Sequence, residues 1–283
     1  MLPPPIVLDP LLADWLREDI GRGDRTTMAL FPQASPQGRA RWIAKADGVV
    51  VGLPIAARVF YLLEPSTDVR ALVPEGTVVA KGDAILSLSG GLGPLLMGER
   101  VALNLAMRLS GIATRSREFV QALAHTAIRL LDTRKTTPGL RLLEKYATAM
   151  GGAVNHRHGL DDAVMIKDNH IAAAGSITAA VNLARSRIPL TTAIEVETET
   201  LDQVQECLPL HLDVIMLDNM PPQTMAPAIA LIRQHSPGTK IEASGNISLD
   251  TIPAIAHLDL DFVSTSAMVT RAPWLDLSME LLP

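Results

Sequence analysis

Six short apolar runs in the second half of the chain each lead into residues that can do chemistry. Ala127–Asp132 runs into Thr133, Arg134 and Lys135. Val164–Ile166 runs into Lys167, Asp168, Asn169 and His170. Ala193–Val196, interrupted by Glu195, runs into Glu197, and Asp213–Leu217 into Asp218 and Asn219. Lys240–Ala243 runs into Ser244, Gly245 and Asn246, and Asp261–Val263 into Ser264, Thr265 and Ser266. A single polar strand end is usually a loop start or a helix cap. Six in succession are not explained by capping, because they sort by chemistry: basic groups first, carboxylates in the middle, small hydroxyl and amide groups last.

That sorting suggests roles. Arg134, Lys135, His156, Arg157 and Lys167 suit an anion pocket, with arginine giving forked bonds to carboxylates and lysine acting as a point charge. Glu197 and Asp218 suit a hard divalent cation such as Mg2+, directly or through water. Ser244, Gly245, Asn246 and Ser266, each read as standing just before a helix, suit a phosphate cradle of N–H and hydroxyl donors. Lys135, Lys167, Glu197 and Asp218 are the candidates for the chemistry itself.

Plainer roles stay open for several neighbours. His156 and His158 are also compatible with structural hydrogen bonding, and Asp162 with capping or pairing. Glu195 and Glu197 are two apart, so on a strand they share a face. Glu195 is then the deeper of the two, suited to pairing with a neighbouring cation. Tyr146 and Met150 sit at helical spacing and read as core. Cys207 lies in the helix-like run Leu201–Leu208 with no His beside it, which favours packing over nucleophilic work.

The elements that must position these groups follow from periodicity. The apolar runs alternate with helical segments at Leu140–Met150, Ile177–Ile188, Leu201–Leu208, Gln223–His235 and Asp250–Ala256. Regular alternation of this kind implies parallel strands joined by crossover helices. Six units, or seven if Ala153–Asn155 adds a strand, predict an incomplete (β/α) TIM-like barrel whose strand ends converge on one face. A doubly wound open sheet is the alternative. The first part reads as mixed α/β: a helix over Leu8–Asp19 with Asp9 as its cap, strands at Arg39–Ala46 and Val69–Val73, and a helix over Pro54–Leu63. Gly76–Val79 and Ile85–Ser89 read as a hairpin through Lys81-Gly82-Asp83. Two helices, Gly98–Ser110 and Ala113–His125, lead out of it. The expected division is an N-terminal α/β domain over 1–115, a barrel over 116–270 and a C-terminal segment, 271–283, returning to the first domain.

Composition bounds the function. Of 283 residues 48% are hydrophobic but only 3% aromatic, so the core is aliphatic. The net charge of −5 argues against nucleic acid. From Arg100 to His170, however, eleven Lys and Arg face six Asp and Glu, and four of the seven His fall there. Such segregation fits either a solvated basic face or a pocket for a small anion. One cysteine excludes an internal disulfide and fits a reducing compartment. The N-terminus lacks the pattern of a signal peptide. The most apolar stretch, Val49–Leu63, contains Arg58 and is short for a bilayer. A soluble, cytoplasmic protein without membrane partners is expected.

One long motif makes the reading specific. Asp132-Thr133-Arg134-Lys135-Thr136-Thr137-Pro138-Gly139-Leu140-Arg141 is followed by Glu144-Lys145-Tyr146, Asn155-His156-Arg157 and Ile166-Lys167-Asp168-Asn169-His170. With Glu18–Thr27, Gly98–Thr114, Glu195-Val196-Glu197, Leu217-Asp218-Asn219 and Glu242–Gly245, the chain resembles the quinolinate phosphoribosyltransferases over nearly its whole length. The resemblance implies an N-terminal α/β sandwich, an incomplete barrel, and a homodimer (or higher oligomer) with a shared active site. It implies quinolinate and phosphoribosyl pyrophosphate as substrates and Mg2+ as cofactor. Arg100 would reach the neighbouring subunit's pocket. Arg134, Lys135, Thr136, His156, Arg157 and Lys167 would line the substrate pocket, Glu197 and Asp218 would lie near ribose and metal, and Ser244, Gly245, Asn246 and Ser266 would form phosphate loops. Asn246 and Ser266 stand where glycine is common in that family. Other readings are a related protein of molybdenum-transport gene clusters, a non-decarboxylating nicotinate phosphoribosyltransferase, which would need fewer cations, and a non-enzymatic phosphate-binding barrel.

Overall fold

The computed structural model describes residues 2–32 and 35–283. They divide into two compact units. The first takes residues up to Arg117 together with Leu142–Gly152 and Arg271–Pro283; the second takes Glu118–Arg141 and Ala153–Thr270.

The first unit opens with α1 (Pro5–Ile20), which buries Leu8, Leu12 and Leu16 at four-residue spacing. It starts three residues before the expected Leu8, because Pro5 supplies a fixed φ and needs no N–H partner in the first turn. Asp9 is therefore inside the helix, where it pairs with Arg58 at 2.5 Å instead of capping. Then come α2 (Arg25–Leu30), capped by Asp24, β1 (Gln37–Ala44), β2 (Gly48–Val49), α3 (Leu53–Leu63), β3 (Asp68–Ala71), β4 (Val78–Val79), β5 (Ala84–Gly91) and α4 (Leu92–Ala122).

Trp42 on β1 packs edge to face on Phe60 of α3, ring centres 6.5 Å apart, and both side chains are fully buried. The expected hairpin does not form. β4 pairs with β2, whereas β5 lies antiparallel between β1 and β3. The reason lies in the turn: Gly82 N–H bonds Ala44 O, and Asp83 O accepts from Ala44 N–H, tying it to the end of β1. The two expected helices are one, α4, running through Gly111. A side chain at Gly111 would put Cβ 1.9 Å from Pro273 O, so this glycine allows close packing instead of ending a helix.

The second unit contains β6 (Arg129–Leu131). Its chain then leaves through α5 (Arg141–Met150), most of which belongs to the first unit, where Gly151 abuts Ala113 O. The expected barrel stretch 116–270 is thus interrupted. It resumes with β7 (Val164–Ile166), α6 (Asp168–Ala174), α7 (Ile177–Arg185), β8 (Ile194–Thr198), α8 (Leu201–Cys207) and a 3-10 turn at Leu208–Leu210. It continues with β9 (Val214–Asp218), α9 (Pro222–His235), β10 (Lys240–Ser244), α10 (Ile252–Ile255), β11 (Phe262–Ser264) and α11 (Ala267–Thr270). The last strand, β12 (Leu277–Leu282), joins β1 in the first unit to complete a sheet of order β12-β1-β5-β3.

The barrel strands are parallel in the order β6-β11-β10-β9-β8-β7. The first strand lies beside the last and the others follow in sequence order, as around a barrel, without the reversal of order that a doubly wound sheet requires. Val154 adds one bridge to Leu131 on the far side of β6, and among the described residues no pairing joins it to β7. The barrel is open at that seam. Helix α6 was not expected: Lys167–His170 reads as a polar strand end, yet His170 Nδ1 accepts from Lys167 N–H at 3.0 Å and closes a first helical turn.

Candidate active site

Side chains alternate along a strand, so one residue in two faces the barrel interior. Met165 and Lys167, Met216 and Asp218, and Glu242 and Ser244 follow this rule from β7 to the end of β10. With Asp132, Arg134, Lys135, His156, Arg157, Glu197 and Ser264 they line one cleft of about 360 Å³ at the carboxyl ends of the strands. Eight of the sequence-derived candidates therefore meet in one place: Arg134, Lys135, His156, Arg157, Lys167, Glu197, Asp218 and Ser244.

The basic wall comes from the turns after β6, after Val154 and after β7. Asp132, buried at the end of β6, accepts His156 N–H at 2.8 Å and the Asn155 amide at 2.7 Å, which fixes the segment bearing His156 and Arg157. Arg157 donates to Ala163 O at 2.8 Å. Burial and the nearby charge of Arg134 push its pKa below the ordinary arginine value, as expected for cations gathered around an anion seat.

Thr136 does not line the cleft. Its hydroxyl donates to Arg134 O at 3.4 Å and accepts from Arg141 Nε at 3.1 Å, bracing the loop. Arg141, which sequence reasoning left out of the site, does line it and also donates to His158 O. The signal was present: Arg141 is a cation at the start of α5, against the helix dipole.

The acidic wall is not separate from the basic one. Lys167 Nζ forms a close ion pair with Glu197. Burial pushes the Glu197 carboxyl up, Lys167 pulls it down, and the negative charges of Asp218 and Glu195 raise it again. Asp218 Oδ2 accepts the Asn219 amide at 2.9 Å and no other group among the described residues. Two neighbouring carboxylates of this kind are suited to a hard cation between them.

Glu195 lies deeper, as the two-residue period requires. It takes not a Lys or Arg but His156, whose Nε2 is 2.9 Å from its Oε2. Glu242, also missed, sits at the same floor; a lone Glu inside the apolar run Lys240–Ala243 was the available sign.

The expected phosphate loops are placed differently. Ser244 lines the cleft, but Gly245, Asn246 and Ser266 do not. Gly245 and Asn246 are consecutive left-handed residues (φ +88° and +54°), and neither N–H finds an acceptor among the described residues. A Cβ at Gly245 would lie 2.1 Å from Asn219 Oδ1, so only glycine fits. The loop does not lead straight into a helix, since α10 begins six residues later, at Ile252. Ser266 does precede α11 and accepts from the Val269 and Thr270 N–H groups. Arg100 is exposed on α4 in the first unit, with no ion pair to Glu99 or to any other described residue.

Other sequence readings find their places. Asp162 accepts His158 N–H at 2.9 Å. Tyr146 is buried and donates to Glu75 Oε1 at 3.0 Å. Cys207 is buried, its thiol pushed up to about 12 by burial, so it is no nucleophile. No described helix is long and apolar enough to cross a membrane.

Comparison with known proteins adds the following. Residues 24–110 match the N-terminal domain, and residues 112–280 the C-terminal domain, of quinolinate phosphoribosyl transferase. The probable nicotinate-nucleotide pyrophosphorylase [carboxylating] of Synechocystis is 57% identical over 280 residues, covering 99% of this chain and 94% of the relative. The human nicotinate-nucleotide pyrophosphorylase [carboxylating] is 37% identical over 283 residues, covering 99% and 94%. The crystal structure of NadC from Streptococcus pyogenes superposes with a TM-score of 0.94 at 40% identity, over 100% of this chain and 99% of that one.

Proposed function

The chain belongs to the quinolinate phosphoribosyltransferase family, and from that membership we propose how its cleft works. The enzyme converts quinolinate and phosphoribosyl pyrophosphate to nicotinate mononucleotide, pyrophosphate and carbon dioxide, a cytoplasmic step of NAD synthesis. One observation carries the assignment of roles: Arg134, Lys135, Arg157 and Lys167 converge on a cleft whose other side holds Glu197, Asp218 and Ser244. Quinolinate is a dianion and needs more than one cation; the ribose and its phosphates need carboxylates and hydrogen-bond donors.

Arg134 and Arg157 seat the two carboxylates by forked bonds, and Lys135 and Lys167 add point charges. Lys167 is held by Glu197 until a substrate carboxylate competes for it. As pyrophosphate departs, positive charge develops at the ribose C1 carbon, and the fixed carboxylates of Glu197 and Asp218 stabilise it. The pyridine nitrogen supplies the electron pair for the new C–N bond. The resulting pyridinium then accepts the electrons of the adjacent carbon–carboxylate bond, carbon dioxide leaves, and that ring carbon takes a proton from water. No covalent enzyme intermediate is required. Glu197 and Asp218 would hold Mg2+, directly or through water, and the ion would take up charge on the departing pyrophosphate. Asp218, bonded among the described residues only by the Asn219 amide, is the more available ligand. Ser244 and the unengaged N–H groups of Gly245 and Asn246 serve the 5-phosphate, with Ser266 and Thr136 supporting the loops.

Arg100, unpaired and exposed, acts in the partner's cleft of a homodimer. Mixing Arg100→Ala subunits with Lys167→Ala subunits should restore activity towards half of normal per mixed dimer; no recovery in dimers confirmed by mass spectrometry would refute sharing. The assignment as a whole is tested by incubation with quinolinate, phosphoribosyl pyrophosphate and Mg2+, assaying nicotinate mononucleotide. Nicotinate should be a poor substitute, and a chelator should stop turnover.

A further inference from the structure

Two carboxyl groups at the floor of the cleft are buried with little to compensate them. Glu195 on β8 and Glu242 on β10 are 5% and 1% exposed. Ligand atoms of these two and of His156 lie within 4.8 Å of one another; Ser264 serves the Glu242 carboxyl, but among the described residues Oε1 of each carboxyl has no hydrogen-bond partner. His156 Nε2 stands between them, 2.9 Å from Glu195 Oε2 and 3.7 Å from Glu242 Oε2.

Arg157 N–H donates to His156 Nδ1 at 2.7 Å, which turns Nε2 towards the carboxyls, and that one atom does not serve their Oε1 atoms. Nor does a Lys or Arg bond either carboxyl among the described residues: Arg157 is held by Ala163 O, and Lys167 by Glu197. Two ionised carboxylates so close and so dry would repel each other without a partner.

The groups facing Glu242 are Glu195 and Glu197 on β8, Asp218 on β9, Ser264 on β11, His156 and Asp132 from the segments around β6, and Lys167 after β7. We propose that Glu242 is a positioning residue of the anion pocket, held as the neutral acid, whose proton keeps this buried carboxyl from adding a negative charge beneath the bound anion. It rests on the reading of the cleft as the quinolinate site. Geometry and electrostatics agree: burial first, then the charge of Glu195, push the Glu242 carboxyl up to about 8. Loss of this proton places a negative charge under the cations that must hold a dianion.

The test compares the native enzyme with Glu242→Gln, which keeps the shape of the acid but cannot ionise. With phosphoribosyl pyrophosphate and Mg2+ saturating, the quinolinate KM of the native enzyme should rise about tenfold between about pH 7 and pH 9, as the competent fraction falls. In Glu242→Gln the rise should be under about twofold, and the KM for phosphoribosyl pyrophosphate should not follow in either protein. Melts in the same buffers read the proton without activity. A carboxyl raised from its ordinary 4.5 to about 8 in the folded state costs the fold stability progressively as pH rises between those values. Glutamine carries no such loss, so the Tm of Glu242→Gln should gain on that of the native protein from about pH 5.5 to pH 8. Equal KM rises in the two proteins, or a Tm difference that does not widen with pH, overturns the proposal. Failure of the native protein to turn over quinolinate would refute the function reading instead, and the melts would then decide on the proton by themselves.

Discussion

Arg108 and Glu144 in the first unit, like Lys167 and Glu197 in the second, pair a base with a carboxylate. Arg108 places Nε and Nη2 on Glu144 Oε1 at 3.1 and 2.7 Å, and the Glu144 side chain is fully buried. Lys167 meets Glu197 in the wall of a cleft, with 38% of the lysine side chain exposed. The first pair is mostly enclosed, with Glu144 fully buried and the Arg108 side chain 17% exposed. The second faces open volume, where a substrate carboxylate or a cation can exchange with either member. Both belong to stretches that resemble the same enzyme family, Glu144-Lys145-Tyr146 and Ile166–His170. The resemblance thus covers both places, and only burial tells the enclosed pair from the one that faces a cleft.

Mutation should separate the two regions. The largest effect is expected from Arg108→Ala, which takes the guanidinium from a fully buried carboxylate; thermal or urea melts should show a loss of roughly 3–5 kcal/mol. The folded fraction should keep its quinolinate KM. A loss of substrate affinity at normal stability would break the comparison by placing Arg108 in the binding machinery. Lys167→Ala should do the reverse, lowering kcat/KM about a hundredfold, near 2.7 kcal/mol, with a melt close to that of the native protein. Normal turnover in that variant would reduce Lys167 to a surface pair. The smallest change is Tyr146→Phe, which removes one hydrogen bond to Glu75 while the Gly52 and Leu53 N–H groups still hold that carboxylate. It should cost about 1 kcal/mol in a melt, with kinetics unaltered.

The site was largely legible because strands have period two and barrels gather strand ends. Lys167, Asp218 and Ser244 could be picked out as the first polar residues after apolar runs, and the structure brings them together with the arginines. Besides Arg100, four candidates fell outside the cleft. Thr136 turned to brace Arg141, Gly245 and Asn246 adopted a left-handed loop against Asn219, and Ser266 stands before a short helix, its carbonyl accepting the Val269 and Thr270 N–H groups. Glu242 was read as part of a matching stretch but not as a site residue, because it lies inside a run that reads as apolar and burial of a single carboxyl leaves no periodic trace. The hairpin failed because two-residue strands such as β4 carry no register information of their own, so the partner is chosen by the surrounding sheet.

Residue order alone determined the alternation of parallel strands and helices, the aliphatic core and the succession of basic, acidic and hydroxyl groups along the strand ends, because these follow from local periodicity and side-chain type. Only the tertiary structure decided that β6 pairs with β11, that α5 leaves the barrel unit, that β12 returns to β1, and that Lys167 engages Glu197 while His156 stands between Glu195 and Glu242. These are contacts between residues tens to hundreds of positions apart, so no local pattern encodes them. They are selected by how much apolar surface the whole chain can bury at once and by which polar groups are left needing a partner when it does.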